Sequence, residues 1–238
     1  MERRTVDDPA ALALAAADLI TEAVRTRPDA VLLAATGSTP MGCYAALAGR
    51  PDDVSRMRVA QLDEYAGVPE DDPRSLYGWM RRSLCDPLGV GEERIIRLAP
   101  GGDPGTACGS YAEAVTAAGG IDLAVLGLGP NGHLGFNEPP TDADAPTREV
   151  ALTPASLASN ARYFGSAPVP ERARTAGMDL ILAARRVLLL VSGAHKADIL
   201  RRVIDAEPNR WLPASWLHRH PDTVVIADRA ALADGSRP

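Results

Sequence analysis

The chain has 238 residues with 46% apolar side chains, enough to bury the core of one large domain or two small ones. Its net charge of −6, with no basic stripe, excludes nucleic-acid binding as the main task but leaves open a local positive pocket for a small anion. Aromatics are scarce and alanine is abundant, which predicts a core of Ala, Leu and Val with closely packed elements.

The opening MERRTVDDPAAL lacks an apolar signal core, and the runs AALALAAA and VLLLV fall well short of the ~20 residues that span a bilayer. With Cys43, Cys85 and Cys108 widely spaced and no CxxC pair, the expectation is a soluble cytoplasmic protein with reduced thiols. Asp and Pro followed by apolar residues at helical spacing predict a helix over Pro9 to Thr26. AVLLAA (30–35) reads as a short strand buried on both faces, and MGCYAALAG (41–49) as a helix. RMRVAQLDEY (56–65) reads as one strand and DPRSLYGWMRRSLC (72–85) as a helix. RIIRLA (94–99) is a strand, TACGSYAEAVTAAGG (106–120) a helix closed by glycine, and IDLAVLGL (121–128) a strand. ARRVLLLVSG (184–193), AHKADILRRVIDA (194–206) and DTVVIAD (222–228) complete the series as strand, helix and strand.

Strands alternating with helices predict an α/β fold: one doubly wound, mostly parallel sheet with helices on both faces, in a single domain over 1–238. In such sheets ligands bind at the carboxyl ends of strands. TGSTP (36–40), LDEY (62–65) and GLGPNGHLGFNEP (127–139) all sit at such ends, so they are expected to converge on one site.

TGSTP offers Thr36, Ser38 and Thr39 as helix-capping types, Gly37 as a point of close backbone approach, and Pro40 at a helix start. It serves either as an ordinary cap or as a phosphate site made of free N–H groups. It is not a Walker loop, because no Gly-Lys-Ser/Thr follows. Gly127, Gly129 and Gly132 match GxGxxG, but Pro139 and Pro140 block the helix a dinucleotide fingerprint requires, so these glycines are assigned to close ligand approach. His133 and Glu138, with Asp63 and Glu64 at the other strand end, form an acid/base set. Taken singly, each is equally well read as a solvated or turn-capping side chain. No HExxH and no Cys/His cluster is present, so no metal site is expected.

These stretches, with NARYF (160–164), VSGAHKADIL (191–200) and WLPASWLHRHPDTVVIAD (211–228), stand in the order and spacing of glucosamine-6-phosphate deaminases. The chain resembles that family over 36–228. Its Phe-Asn-Glu-Pro run differs from the GHTASLFP of the related 6-phosphogluconolactonases. The resemblance implies a cofactor-free conversion of a hexosamine 6-phosphate, glucosamine 6-phosphate first, into a ketose 6-phosphate and ammonia. It assigns C2-to-C1 proton transfer to Asp63, ring opening to His133, and the orientation and charging of His133 to Glu138. It places the phosphate on Gly37, Ser38 and Thr39 with Arg162 and Lys196. A histidine held by a glutamate is then expected to have raised basicity.

Three departures stand out. Asn131 replaces a frequent Asp, and can position but not ionise. GMDLIL (177–182) replaces Gly-x-Gly-Thr and puts galactosamine 6-phosphate in competition as substrate. Segment 141–150 carries only Arg148 as a basic residue, and the chain ends soon after the last strand, so activation by N-acetylglucosamine 6-phosphate is not expected. A homo-oligomer is left open. A lactonase is opposed by FNEP and LDEY. A non-catalytic sugar-phosphate module is opposed by Asp63, His133 and Glu138 occurring together, and by a chain that starts directly at its first helix. His195, His218 and His220 carry no assigned role, Trp211 and Trp216 are assigned to packing, and Tyr65 and Tyr77 are candidate pocket walls.

Overall fold

The computed structural model describes residues 1–50 and 54–233; the end of the chain, including the short tail noted above, lies outside the described residues. The chain runs β1 (Glu2–Val6), α1 (Pro9–Thr26), β2 (Val31–Ala34), α2 (Ser38–Ala48), β3 (Arg58–Gln61), β4 (Asp63–Tyr65), α3 (Leu76–Met80) and β5 (Ile95–Ile96). It continues through α4 (Pro104–Ala117), β6 (Leu123–Gly127), β7 (Arg148–Ala151), α5 (Pro154–Phe164), β8 (Arg172–Thr175) and α6 (Met178–Leu182). The last elements are β9 (Arg186–Val191), α7 (Ala197–Asp205), β10 (Thr223–Asp228) and α8 (Arg229–Leu232).

Seven strands form one sheet in the order β1-β10-β9-β6-β2-β3-β5, with every pairing parallel. The two-residue side-chain period of a strand divides the core into two layers. Leu32, Ala34, Leu123, Val125, Leu188, Leu190, Val224 and Ile226 face Leu12, Ala16, Leu19 and Ile20 of α1 and Tyr44 and Leu47 of α2. Their alternates Val31, Leu33, Ala124, Leu126, Val187, Leu189 and Val225 face Tyr111 and Val115 of α4, Met178 and Ile181 of α6, and Ile199, Leu200 and Val203 of α7. The doubly wound parallel sheet read from the sequence is therefore present.

The predicted helix over Pro9 to Thr26 has those bounds, with Asp8 Oδ1 accepting from Ala11 N at 2.8 Å as its cap. Other elements differ. β1 is a further strand at the sheet edge; four of its five residues are exposed, so it carries no apolar run to mark it. The expected single strand 56–65 is broken at Leu62, whose N–H donates to Ala34 O and whose carbonyl accepts from Ala176 N. The chain thereby passes from the large sheet into a second, antiparallel one of order β4-β8-β7. The expected helix 72–85 starts four residues late and changes from α to π geometry at Arg81. The three cysteines are buried and free. No described helix is long and apolar enough to cross a membrane.

β2 leads to β3 on one side, while β6 lies on its other side and leads on to β9. This divergence of the connections opens a crevice at the carboxyl ends of β2 and β6, where a doubly wound sheet places its ligands.

Candidate active site

A cavity of about 830 Å³ occupies that crevice. Thr36, Gly37, Ser38 and Thr39 reach it from the end of β2, Asp63 and Tyr65 from β4, and Gly129 and His133 from the loop after β6. Arg162 enters from α5, and Ser192, Gly193, His195 and Lys196 from the end of β9. The three strand-end motifs thus meet as expected, and a fourth, Val-Ser-Gly-Ala-His-Lys after the apolar β9, joins them by the same rule.

Glycine at 37, with φ +119°, serves as N-cap of the eleven-residue α2 without any side-chain capping bond. The first N–H groups of that helix keep the partial positive charge of an uncapped amino end. Lys196 Nζ is anchored by donation to Leu128 O at 2.6 Å. Burial, and secondarily Arg162, push the Lys196 ammonium down from its ordinary value. Arg162 lies 4.7 Å over the Tyr163 ring and donates to its hydroxyl at 2.8 Å. Two cations that repel each other beside an uncapped helix end are relieved by an anion.

Asp63 is 7% exposed and has been lifted to about 7. Burial is the main cause and the charge of Glu64 the second; a hydrogen bond with Thr36 opposes them. Its Oδ1 is buried without a hydrogen-bond partner, as are His133 Nδ1 and both carboxylate oxygens of Glu138. Unsatisfied buried polar atoms are rare and costly, and here they fall on the three proposed acid/base side chains. Burial pulls His133 down to about 4, more than the charge of Glu138 raises it, and Lys196 lowers it further. The raised basicity expected for this histidine is therefore not found, and its imidazole is neutral near pH 7. Glu138 acts on it through its field: no hydrogen bond joins the two, and Glu138 is not on the cavity wall.

The loop's shape comes from backbone contacts. Gly129 N donates to His133 O at 3.0 Å, and a Cβ on Gly129 would stand 2.1 Å from the imidazole Cδ2. Glycine at 129 is thus the floor on which the ring rests. Asn131 Oδ1 accepts from His133 N at 3.2 Å, so Asn131 positions the loop from outside the cavity. Gly132 is also off the cavity: at φ +83° it packs under Leu212, and its carbonyl takes Ala214 N–H, so the ligand approach expected of it is not seen. Asn137 is fully buried, donates to Leu134 O and Ala176 O, and accepts from Arg148. Arg148 is spent on this internal network.

Residues 177–182 do not touch the cavity; Met178 and Ile181 are core residues. Tyr65 lines the cavity and Tyr77 does not. His218 and His220 contact main-chain carbonyls of Val203 and Ala184. Trp216 packs as expected and donates to Thr141 O, whereas Trp211 is 65% exposed and outside the core. Among the described residues no group of three metal-binding side chains occurs.

Two outcomes are expected from this geometry. Gly129→Ala should displace the imidazole and lower kcat roughly 10- to 100-fold with the fold retained, measured by initial rates and circular dichroism; wild-type kcat would remove the close contact from consideration. Asp63→Asn should be more stable than the parent above neutrality. Asp63 gives up its proton near 3.8 unfolded but near 7 folded, so the parent loses stability as pH rises between those values. The Tm gain should therefore be nearly absent near pH 4 and reach on the order of 10 °C at pH 8; a gain that is flat across pH contradicts a buried, raised carboxylate.

Residues 7–226 match the family described as glucosamine-6-phosphate isomerases/6-phosphogluconolactonase. A glucosamine-6-phosphate deaminase of Streptomyces avermitilis is 40% identical over 232 residues, covering 92% of this chain and 88% of that one. Another, from a Geobacillus species, is 40% identical over 224 residues, covering 92% and 89%. The solved structure of a monomeric glucosamine-6-phosphate deaminase superposes with a TM-score of 0.93 at 35% identity, covering 98% of this chain and all of that one. A 6-phosphogluconolactonase from Trypanosoma cruzi, at 19% identity and TM-score 0.78, shares the fold. The chain belongs to the glucosamine-6-phosphate isomerase/6-phosphogluconolactonase family and stands with its glucosamine-6-phosphate deaminases.

Proposed function

We propose that the protein is a hexosamine-6-phosphate deaminase that converts glucosamine 6-phosphate and water into fructose 6-phosphate and ammonia. The observation that carries it is the pairing, in one crevice, of a buried carboxylate lifted to about 7 with a cationic, amide-lined phosphate corner. A carboxylate of that proton affinity can both take and return a proton near neutral pH. The relatives' names supply the substrate.

The phosphate is held by the N–H groups at 37–39 with Lys196 and Arg162, far from the reacting carbons. Its binding energy holds the sugar for proton transfer. Neutral His133 moves the ring-opening proton between the anomeric hydroxyl and the ring oxygen, and Glu138 stabilises the imidazolium formed in passing. In the open chain Asp63 removes the proton from C2, the electron pair forms the C1–C2 double bond of an enolamine while the C1 oxygen takes a proton from water, and Asp63 returns its own proton to C1. Water adds to the resulting C2 imine and ammonia leaves. Asn131 holds the His133 loop and exchanges no proton. The departure that raised galactosamine 6-phosphate lies in α6, away from the cavity, which favours the glucosamine substrate.

Purified protein should release ammonia and fructose 6-phosphate in equal amounts from glucosamine 6-phosphate, with galactosamine 6-phosphate the poorer substrate and Asp63→Asn inactive. Release from neither sugar, or undiminished release by Asp63→Asn, would overturn the assignment. Lys196→Ala should weaken a phosphorylated competitor by ~1.5–3 kcal/mol, the scale of a lost charge-assisted hydrogen bond. An unchanged inhibition constant would take Lys196 out of the phosphate corner.

A further inference from the structure

Asp63 has a neighbour that the mechanism does not use. Successive strand residues point to opposite faces, so β4 sends Asp63 and Tyr65 to the cavity and Glu64 away from it. Glu64 is 0% exposed, yet its carboxylate is saturated. Oε1 accepts from Tyr65 N at 2.8 Å and Leu76 N at 3.0 Å. Oε2 accepts from Tyr77 N at 2.8 Å, Gln61 Nε2 at 3.0 Å and Ser75 Oγ at 3.1 Å. Four of the five donors are N–H groups that cannot accept in return, so the hydrogen bonds favour the anion; burial opposes them and lifts the Glu64 carboxyl above its ordinary value. Gln61 Nε2 donates also to Asp63 O at 2.8 Å, so the same knot grips the main chain of the reacting residue. Two adjacent carboxylates therefore have opposite environments, one saturated with donors and the other with an oxygen left unpartnered. Pairs divided in this way are divided in role.

We propose that Glu64 is a positioning residue for the proton-transfer step: a buried carboxylate gripped by five donors that fixes the strand end carrying Asp63 and sets a like charge beside the reacting carboxyl. The other groups around Asp63 do not take over this task. Thr36 donates to it. The phenols of Tyr44 and Tyr111, which face it from α2 and α4, donate to the carbonyls of Ala35 and Gln61, and Tyr65 follows it on its own strand. On the cavity walls stand His133, Lys196, Arg162 and Arg74, but none of their charges is among the causes acting on Asp63. Among the charged groups around Asp63, Glu64 is the one that raises it, second to burial.

The chemical meaning of this role rests on the deaminase assignment, but its test does not. The Asp63 carboxyl signal can be followed by carbon-13 NMR against pH in substrate-free protein, identified by its loss in Asp63→Asn. In Glu64→Gln the midpoint should fall by about one pH unit, because a like charge has been removed. In Ser75→Ala, which keeps the charge and loses one donor, it should stay in place while Tm drops. The acid limb of kcat/KM should follow the same pattern. An unmoved midpoint in Glu64→Gln, or an equal fall in Ser75→Ala, overturns the proposal. If Glu64→Gln does not fold, Glu64→Asp decides: with the charge kept and the reach shortened, the midpoint should not fall, and kcat should drop at unchanged KM. A fallen midpoint or wild-type kcat in that variant overturns the proposal as well. A wild-type protein that releases no ammonia removes the deaminase assignment but leaves the NMR comparison intact.

Discussion

The constraint on which the site depends is the point between β2 and β6 where the connections to β3 and to β9 diverge. A parallel sheet buried on both faces has no room for polar chemistry within its layers. Only where neighbouring connections turn opposite ways do strand ends separate enough to admit a ligand. The large sheet carries polar groups to that crevice at the ends of its apolar strands: Thr36 by β2, His133 by β6, Lys196 by β9. Arg162 comes from α5 and Asp63 from β4, and Leu62 explains the place of Asp63. By bonding to Ala34 on one side and Ala176 on the other, Leu62 lets the chain leave the large sheet one residue before Asp63. The small antiparallel sheet then holds the carboxylate over the crevice.

Solvent exclusion divides the charges of the site into two kinds. At one end of the cavity Arg162 is exposed and Lys196 half-buried. Those at the acid/base end are withdrawn further: Asp63 holds its proton to near neutrality and His133 sheds its own well below it. A neutral imidazole beside a protonatable carboxyl suits an isomerisation in which no net charge crosses the site. The expectation that Glu138 would make His133 more basic treated the pair as if in a polar medium. In the folded chain desolvation of the ring outweighs the attraction.

What could be read from the sequence follows the length and regularity of each signal. The helix at Pro9–Thr26 has an acidic cap, a proline start and a long apolar stripe, and it was legible to the residue. The two-layer sheet was legible because its central strands are uninterrupted apolar runs. β1 was not, since a charged edge strand is specified by its partner β10 rather than by its own pattern. The break at Leu62 was not, because it depends on β8, more than a hundred residues away. Among site residues, the strand-end motifs were legible by position, while Ser192 and His195 needed only the same rule applied to β9. Gly132 was misplaced because GxGxxG spacing does not distinguish a glycine under a ligand from one under Leu212.

The large sheet has two open margins, and both are blunted. At one margin β5 pairs over only two residues, too short to template another strand. At the other, β1 presents Glu2, Arg3 and Arg4, with Glu2 and Arg4 paired at 2.6 Å. Charged or very short margins discourage the backbone-to-backbone joining by which exposed strands recruit other chains into aggregates. The same acidic and basic residues that hide β1 from a hydrophobicity pattern thus guard the sheet against growing beyond its own seven strands.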